Sequence, residues 1–501
     1  MKIGRFEFRM TSKQPTKKRA YYEAAESKGY MANHWAKADS RDVNGPIFDS
    51  LAKVRNRCRF EVANNSLALA AVTALADAVV GEGPRLQMTT EDSDVNTSIE
   101  QAFEAWCRVC DFRGMQTFGQ ILRMVGAFNQ ADSGEGFIVT KSVRNNLSPV
   151  ALRLLVVESD RIDTPFGKSY YSDVIEGIEV GEEGLPVAYY LSKKHPGDYY
   201  SSNILDEYDR IPADSVIHLF RPTRPGQSRG FPWLSTVLNQ FAELRSYASS
   251  TLKAADVAAR MAAVLETDSS LLPGSGDDYE AFDPVEIESG SMITLPKGLK
   301  LSQFKSENPS ATYKEFYDCK LREIGRAFNM PFNVISGDSS AYNYSSGRLD
   351  FQNWWKYVGV LQSWIERSVC DRVFKKWLQE AMLVPGTIDF GGLDEEVILA
   401  AIPEWYWPGI EHVDPLKEAN AQTVCLENKT TSLSTEYAKA GKDWEKELRQ
   451  IKREKDLIDE LALTKIVVTK GTSNDKNQDA ENDSDTQDGP AGNKGRIRVA
   501  I

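Results

Sequence analysis

The sequence predicts an α+β fold, and three observations carry that reading. Short apolar segments bounded by Gly, Pro, Asn and Asp cluster between residues 137 and 220, as strands do. Helical spacing dominates before and after them, with long runs free of Pro and Gly in the second half. Hydrophobic residues make up 41% and charged residues 26% of the 501-residue chain, enough for a sizeable core and roughly three domains.

Residues 1–60 are polar and weakly periodic, an N-terminal arm, partly mobile, with one helix. Its basic residues (Lys2, Arg5, Arg9, Lys13, Lys17, Lys18, Arg19) surround no apolar core, so it is not a secretory signal. The most apolar stretch, Leu67–Val80, is broken by Asp77 and falls short of the about 20 apolar residues a membrane span needs. Ala and Leu from Asn64 to Val80 predict a buried helix, stopped by Gly81, Gly83 and Pro84. Arg85–Met88 starts a strand, and helices follow at Val95–Cys110 and Gln116–Gln130. In the second of these, Phe118, Ile121, Leu122, Val125 and Phe128 share one face. Strands are expected at Phe137–Thr140, Ala151–Val157, Val174–Val180, Val187–Leu191 and Ser215–Phe220.

From Leu234 to Thr267 there is no Pro or Gly, and one helix of about 50 Å is expected. Alanines 254, 255, 258, 259, 262 and 263 coat its second half and allow close backbone approach. A Gly- and Pro-rich insertion of about 40 residues comes next, too long for a simple loop, with strands near Met292–Leu295 and Lys300–Phe304. Ser310–Phe328 returns to helix until Pro331. Pro331–Ser346 is rich in Ser, Gly, Asn and Tyr, and Gly347–Met382 is a long helix whose aromatic residues are core-packing. Asp414-Pro415 starts a helix, Gly441 closes another, and Asp443 caps a third. From Gly471 on the chain has almost nothing to bury and should be disordered.

Charge bounds the function. Acidic residues outnumber basic ones 72 to 60, a net charge of −12, against a protein whose main work is gripping phosphates. A protein past which DNA slides remains compatible. Six cysteines are too few for a disulfide scaffold and suit a reducing cytosol.

The best enzyme signal is Gly226-Gln227-Ser228-Arg229-Gly230, a G-x-S-x-G pattern with a strand before it and a helix after. Arg221, Pro222, Arg224 and Pro225 stretch the connection, whereas a nucleophile elbow needs a sharp turn. His412, His195 or His218 would have to be its base; a Gly/Pro turn is the preferred reading. Cys107-Arg108-Val109-Cys110 lies in an amphipathic helix with no second pair, so these are structural cysteines. Ser40-x-Asp42-x-Asn44-Gly45 fails as a calcium loop because Leu51 stands where a bidentate Glu belongs. No Walker lysine motif or dinucleotide fingerprint appears. No enzyme activity, cofactor or metal is expected, and long helices with an insertion and a tail describe an assembly subunit.

Four blocks in order then carry a resemblance. They are Val54-Arg55-Asn56-Arg57 with Val79-Val80-Gly81-Glu82-Gly83-Pro84; Arg221 to Gly230 with Pro232-Trp233-Leu234; Phe328-Asn329-Met330-Pro331 with Asn343-Tyr344-Ser345-Ser346-Gly347-Arg348, Gln362 and Trp377-Leu378; and Val413 to Ala419 leading to Gly441-Lys442-Asp443. Together, over roughly residues 40 to 465, the chain resembles the lambda-type phage portal proteins.

The resemblance implies a ring-shaped homo-oligomer, typically a dodecamer, at one capsid vertex. It implies that DNA passes through the channel during packaging and ejection, and that terminase large subunit docks first and head-completion or tail adaptor proteins later. Major capsid protein and scaffold are further implied partners, and the virion, with host cytoplasm during assembly, the implied location; no membrane is. The parts map as wing (61–233), stem helix (234–267), clip (268–309), stem helix (310–330), tunnel loop (331–346), tunnel helix and wing remainder (347–412), crown (413–466) and disordered tail (467–501). Asn333, Ser336, Ser339, Ser340, Tyr342, Asn343, Tyr344 and Ser345 are then the candidate DNA-channel residues. Asp277, Asp278, Glu280 and Asp283 are the candidate terminase- or adaptor-facing clip residues. A serine hydrolase built on Ser228 and a non-portal adaptor or scaffold subunit are the competing readings.

Overall fold

The computed structural model describes residues 31–38, 40–144, 146–165, 173–198, 207–260, 264–267, 299–302, 312–340, 342–409, 415–439 and 442–460. Residues up to Trp444 form one compact unit and those from Glu445 a second. The four clip candidates, the expected strand at Met292–Leu295, His412 and Asp414, Gly441, residues 1–30 and the tail lie outside the described residues.

α1 (Asn44–Asn64) buries Ile47, Leu51, Arg55, Cys58 and Glu61. The region expected to be a weakly periodic arm thus contributes a 21-residue helix to the body. Its apolar periodicity is faint because two of its inward positions are charged. α2 (Ser66–Val79) follows after a sharp bend, with Asn65 capping the Leu67 amide. Ala68, Ala71, Val72, Leu75 and Val79 make α2 the apolar centre of the main core. Among the described residues no single helix is long and apolar enough to cross a membrane.

β1 (Arg85–Gln87) leads to α3 (Ser93–Cys107), where Asp92 accepts from the Asp94 and Val95 amides. Val95, Ile99, Phe103 and Trp106 are buried at helical spacing. Cys107 is half-buried and Cys110 buried, and burial pushes the Cys110 thiol up to about 12, as inert structural cysteines require. Thr117 and Gln120 form a capping box for α4 (Phe118–Arg123). A π turn at Met124–Phe128 joins it to α5 (Asn129–Asp132).

The central sheet is three antiparallel strands in the order β3-β2-β8: β2 (Gly136–Ser142), β3 (Leu152–Val157) and β8 (Val216–Leu219). Alternation splits its side chains between two cores. Ile138, Leu152, Leu154, Ile217 and Leu219 face the helices; Phe137, Val139, Val157 and Val216 face a second core with Ile162, Ile178, Tyr189 and Leu191. The outer sheet runs β4-β5-β6-β7 through β4 (Val174–Ile175), β5 (Ile178–Val180), β6 (Pro186–Ser192) and β7 (Tyr208–Pro212). The single strand expected over Val174–Val180 is a hairpin, turned by Glu176 and Gly177 at positive φ.

After a 3₁₀ turn at Trp233–Thr236 comes α6 (Leu238–Arg260). The uninterrupted helix expected to Thr267 gives way to β9 (Val264–Thr267), which pairs antiparallel with β10 (Leu299–Ser302). A partner strand supplying a ladder overrides the alanine-rich helix propensity. α7 (Thr312–Ala327) buries Leu321 and Ile324. The expected loop at 331–346 contains a short helix, α8 (Phe332–Ser336). The expected helix 347–382 starts earlier and is interrupted: α9 (Tyr344–Ile365), a π turn at Glu366–Cys370, then α10 (Asp371–Met382). Trp354 and Trp377 are buried, and Phe103 collects the Trp106, Phe374, Trp377 and Trp405 rings within 6 Å. α11 (Glu395–Ala400) and β11 (Glu404–Tyr406), paired with β1, close the body. α12 (Pro415–Glu427) and α13 (Leu433–Lys439) follow. α14 (Trp444–Glu460) is amphipathic and buries no residue.

Candidate nucleic-acid interface

α7 ends in a turn that sets the direction of the next loop. The Phe328 and Met330 amides both donate to the Gly325 carbonyl, at 3.1 and 2.9 Å, and Asn329 takes a φ of +50°. Pro331 starts α8, which buries Phe332 and Ile335. The Arg322 guanidinium lies 4.4 Å from the Phe332 ring centroid and ties α8 to α7. Gly337, at φ +67°, closes α8 in the left-handed conformation.

Beyond Gly337 the loop is held by its own polar groups. Ser336 Oγ donates to the Phe332 carbonyl at 2.6 Å and accepts from the Asp338 amide at 3.1 Å. Asp338 Oδ1 accepts from the Ser340 amide at 2.9 Å, and the Ser340 hydroxyl and amide hold this carboxyl below its ordinary range. Asn343 Oδ1 accepts from the Ser346 amide at 2.8 Å and caps α9.

The candidate channel residues therefore divide. Asn333 and Ser336 are half-buried on α8, and Tyr342 is half-buried against the main core. Ser339, Ser340, Asn343 and Ser345 are exposed, while the Tyr344 side chain lies outside the described residues. What this loop can offer a ligand is small uncharged hydroxyls and an amide, with no cation among those four.

The G-x-S-x-G segment serves a different chemistry. Asn44 grips it from α1, donating to the Gly226 carbonyl at 3.0 Å and accepting from the Ser228 amide at 2.9 Å. Arg229, 1% exposed, turns inward onto the fully buried Glu135. Its Nε and Nη2 donate to Glu135 at 2.9 and 2.6 Å, and Nη1 donates to the Ile162 and Glu176 carbonyls. Arg55 of α1 bonds the same carboxylate, the Gly230 amide donates at 2.8 Å, and His218 Nε2 lies 2.9 Å away. One carboxylate thus joins α1, β8, the start of β2 and the loop entering α6. Burial alone would raise the Glu135 pKa; the Arg229 and Arg55 guanidiniums and the His218 hydrogen bond outweigh it and hold the group well below the usual range. Sequence reasoning missed this cluster. The motif around Arg229 and the one around Arg55 were its only trace.

The His218 side chain is 6% exposed, and burial lowers its pKa from the ordinary 6.5 despite the Glu135 bond. It is neutral and gives its Nε2 proton to Glu135, so it is not free to act as a base for Ser228. On acidification the unfolded chain binds this proton before the folded one does, so stability falls as pH drops below about 6.5. A pH series of unfolding midpoints should show that slope, and His218→Gln should flatten it. An equal slope in both proteins would exclude His218 as its source.

A two-core α+β body thus carries long helices and a polar loop whose one carboxylate, Asp338, is tied to Ser340. The family model for phage portal proteins of the lambda family matches residues 28–362, more than half of the sequence, and the chain belongs to that family. It is 28% identical over 451 residues to the probable portal protein of Halomonas phage phiHAP-1, covering 86% of this chain and 85% of that one. It is 21% identical over 480 residues to Portal protein B of Escherichia phage lambda, covering 87% and 89%. Among solved structures it is similar to a chain in the neck of an empty GTA particle (TM-score 0.47, 16% identity, 81% of this chain and 97% of that one). It is also similar to an HK97 family portal protein from Corynebacterium diphtheriae (TM-score 0.31, 13% identity, 62% and 89%).

Proposed function

We propose that this portal protein assembles as a ring, a dodecamer, at one capsid vertex and forms the channel through which DNA enters and leaves. The match to the lambda family over residues 28–362 carries the reading. In the ring, α6 and α7 are the stem helices, the β9–β10 pair leads into the clip, and the α+β body is the wing. The segment 331–346 is the tunnel loop, α9 and α10 the tunnel helix, and residues 413–466 the crown. Terminase and later the head-completion and tail proteins dock at the clip through Asp277, Asp278, Glu280 and Asp283.

Electrostatics supports a conduit. Each phosphate neutralised by Lys or Arg tightens an electrostatic grip. The exposed loop residues Ser339, Ser340, Asn343 and Ser345 add none, and the exposed stripe of α9 continues with Gln352, Asn353 and Ser363 beside two cations, Arg348 and Lys356. Low friction here follows from few cations.

Negative-stain electron microscopy and native mass spectrometry of the purified protein test the proposal. Rings with a central hole and a mass near twelve chains are expected, together with no labelling of Ser228 by a fluorophosphonate probe. Monomers or dimers across several salt conditions, with labelled Ser228, would instead favour the hydrolase. For the loop, Ser339→Lys with Ser340→Lys should leave the ring mass unchanged and steepen the salt dependence of duplex DNA binding, by about 0.9 in log–log slope per phosphate contacted. An unchanged slope would remove these residues from the channel wall.

A further inference from the structure

A cleft of about 1040 Å³ opens at the edge of the central sheet, and the outer edge of β3 is part of its wall. In an antiparallel strand, alternate residues turn their backbone groups to opposite sides. Leu154 turns outward: its amide donates to the Cys110 carbonyl at 2.8 Å and its carbonyl accepts from the Phe112 amide at 2.9 Å. Val156, two residues on, directs its N–H and C=O the same way, but the covering segment has turned off, with the Gly114 amide bonded back to the Asp111 carbonyl. Among the described residues no backbone group pairs with Val156 on that side. Met115, 80% exposed, and Met124 add adaptable apolar lining.

The charges in the cleft are unevenly matched. Arg59 engages Asp160 and, at 3.4 Å, Glu158. The Arg161 guanidinium is held by the Ser192 and Lys193 carbonyls, at 2.7 and 3.1 Å, and pairs with no carboxylate among the described residues. Burial, and then the nearby Arg113 cation, lower the Arg161 pKa from its ordinary value, outweighing the Asp209 and Glu158 carboxylates. Arg113 and Lys194 are exposed, and neither has an ion-pair partner among the described residues. Two guanidiniums that disfavour one another beside an open strand edge form a ready acceptor for a carboxylate.

We propose that this cleft docks an extended acidic segment of a partner protein, which adds beside β3 at Val156 and places a carboxylate between Arg113 and Arg161. Strand addition supplies main-chain hydrogen bonds, and alternate side chains reach the methionines and the guanidiniums. The open N–H and C=O of Val156 match a peptide backbone and have no counterpart in a phosphate chain, so a protein segment is favoured over nucleic acid. The proposal does not depend on the ring reading.

The test titrates the full-length protein into a fluorescent peptide of alternating glutamate and valine, with its glutamine–valine counterpart and duplex DNA as comparisons. Saturable binding of the glutamate peptide is expected, about tenfold weaker for the glutamine peptide and for Arg113→Glu. Val156→Pro should weaken it similarly, because proline removes an N–H that faces away from β2 and is tolerated at an edge. Lys194→Glu gives an independent surface variant, and native mass and unfolding midpoint on the same samples separate a failed cleft from a failed assembly. Absence of saturable binding, or binding unchanged by Arg113→Glu and Lys194→Glu, would overturn the proposal. Displacement by DNA at comparable affinity would overturn it in favour of a general polyanion site.

Discussion

Glu135→Gln should destabilise the body by about 3–5 kcal/mol, the range for breaking a buried ion pair from one side. The substitution keeps size and shape but leaves Arg55 and Arg229, both under 5% exposed, without their counter-charge. Urea unfolding followed by tryptophan fluorescence reads the loss directly. Replacing Glu135, Arg55 and Arg229 together with apolar residues of similar volume should recover much of it, since the cost lies in uncompensated charge. A Glu135→Gln protein as stable as the parent would mean the cluster contributes nothing.

Gly119→Ala should be equally severe for a steric reason. A Cβ at Gly119 would lie 2.0 Å from the Glu82 carbonyl oxygen and 2.8 Å from its carbon, and both contacts are backbone. Gly83, at φ +108°, continues the same segment, and a Cβ there would lie 2.8 Å from the Gly119 Cα. Neither chain can yield by rotating a side chain, so a cost of about 3 kcal/mol or more is expected. Gly359→Ala is the matched control. It lies inside α9 with nothing within 4 Å of the point its methyl would occupy, so it should be neutral or stabilising by about 1 kcal/mol. Equal melting midpoints for the two variants would contradict the crowding argument.

These sites show what the sequence makes legible. Periodicity located the helices whose inward positions are apolar: Phe118, Ile121, Leu122 and Val125 are all buried. Short apolar runs between turn residues located the central strands, whose side chains are buried on both faces. Periodicity failed at α1, because Arg55 and Glu61 point inward and look like surface charges in one dimension. The Glu135 cluster was invisible because its partners are 80 to 95 residues away along the chain. Their signs balance only in three dimensions. In the loop, composition correctly marked a polar segment, but nothing local distinguished Ser336, which closes α8, from Ser339 and Ser340, which face solvent. The end of α6 was misjudged because the strand that competes with it, β10, lies beyond the insertion.

The π turn between α9 and α10 works as a phase corrector. Trp377 follows Ile365 by twelve residues, which in a regular helix would place them about 120° apart around the axis. One inserted residue rotates the later segment back by roughly 100°, so that both residues, each fully buried, share a face. The second π turn meets this junction, since a Cβ on Gly126 would lie 2.7 Å from Ile365 Cδ1. The long helix therefore behaves as two rods keyed at a fixed angular offset. A one-residue deletion within 366–370 would re-index every side chain on one rod against the other, although a substitution at the same place would change only one.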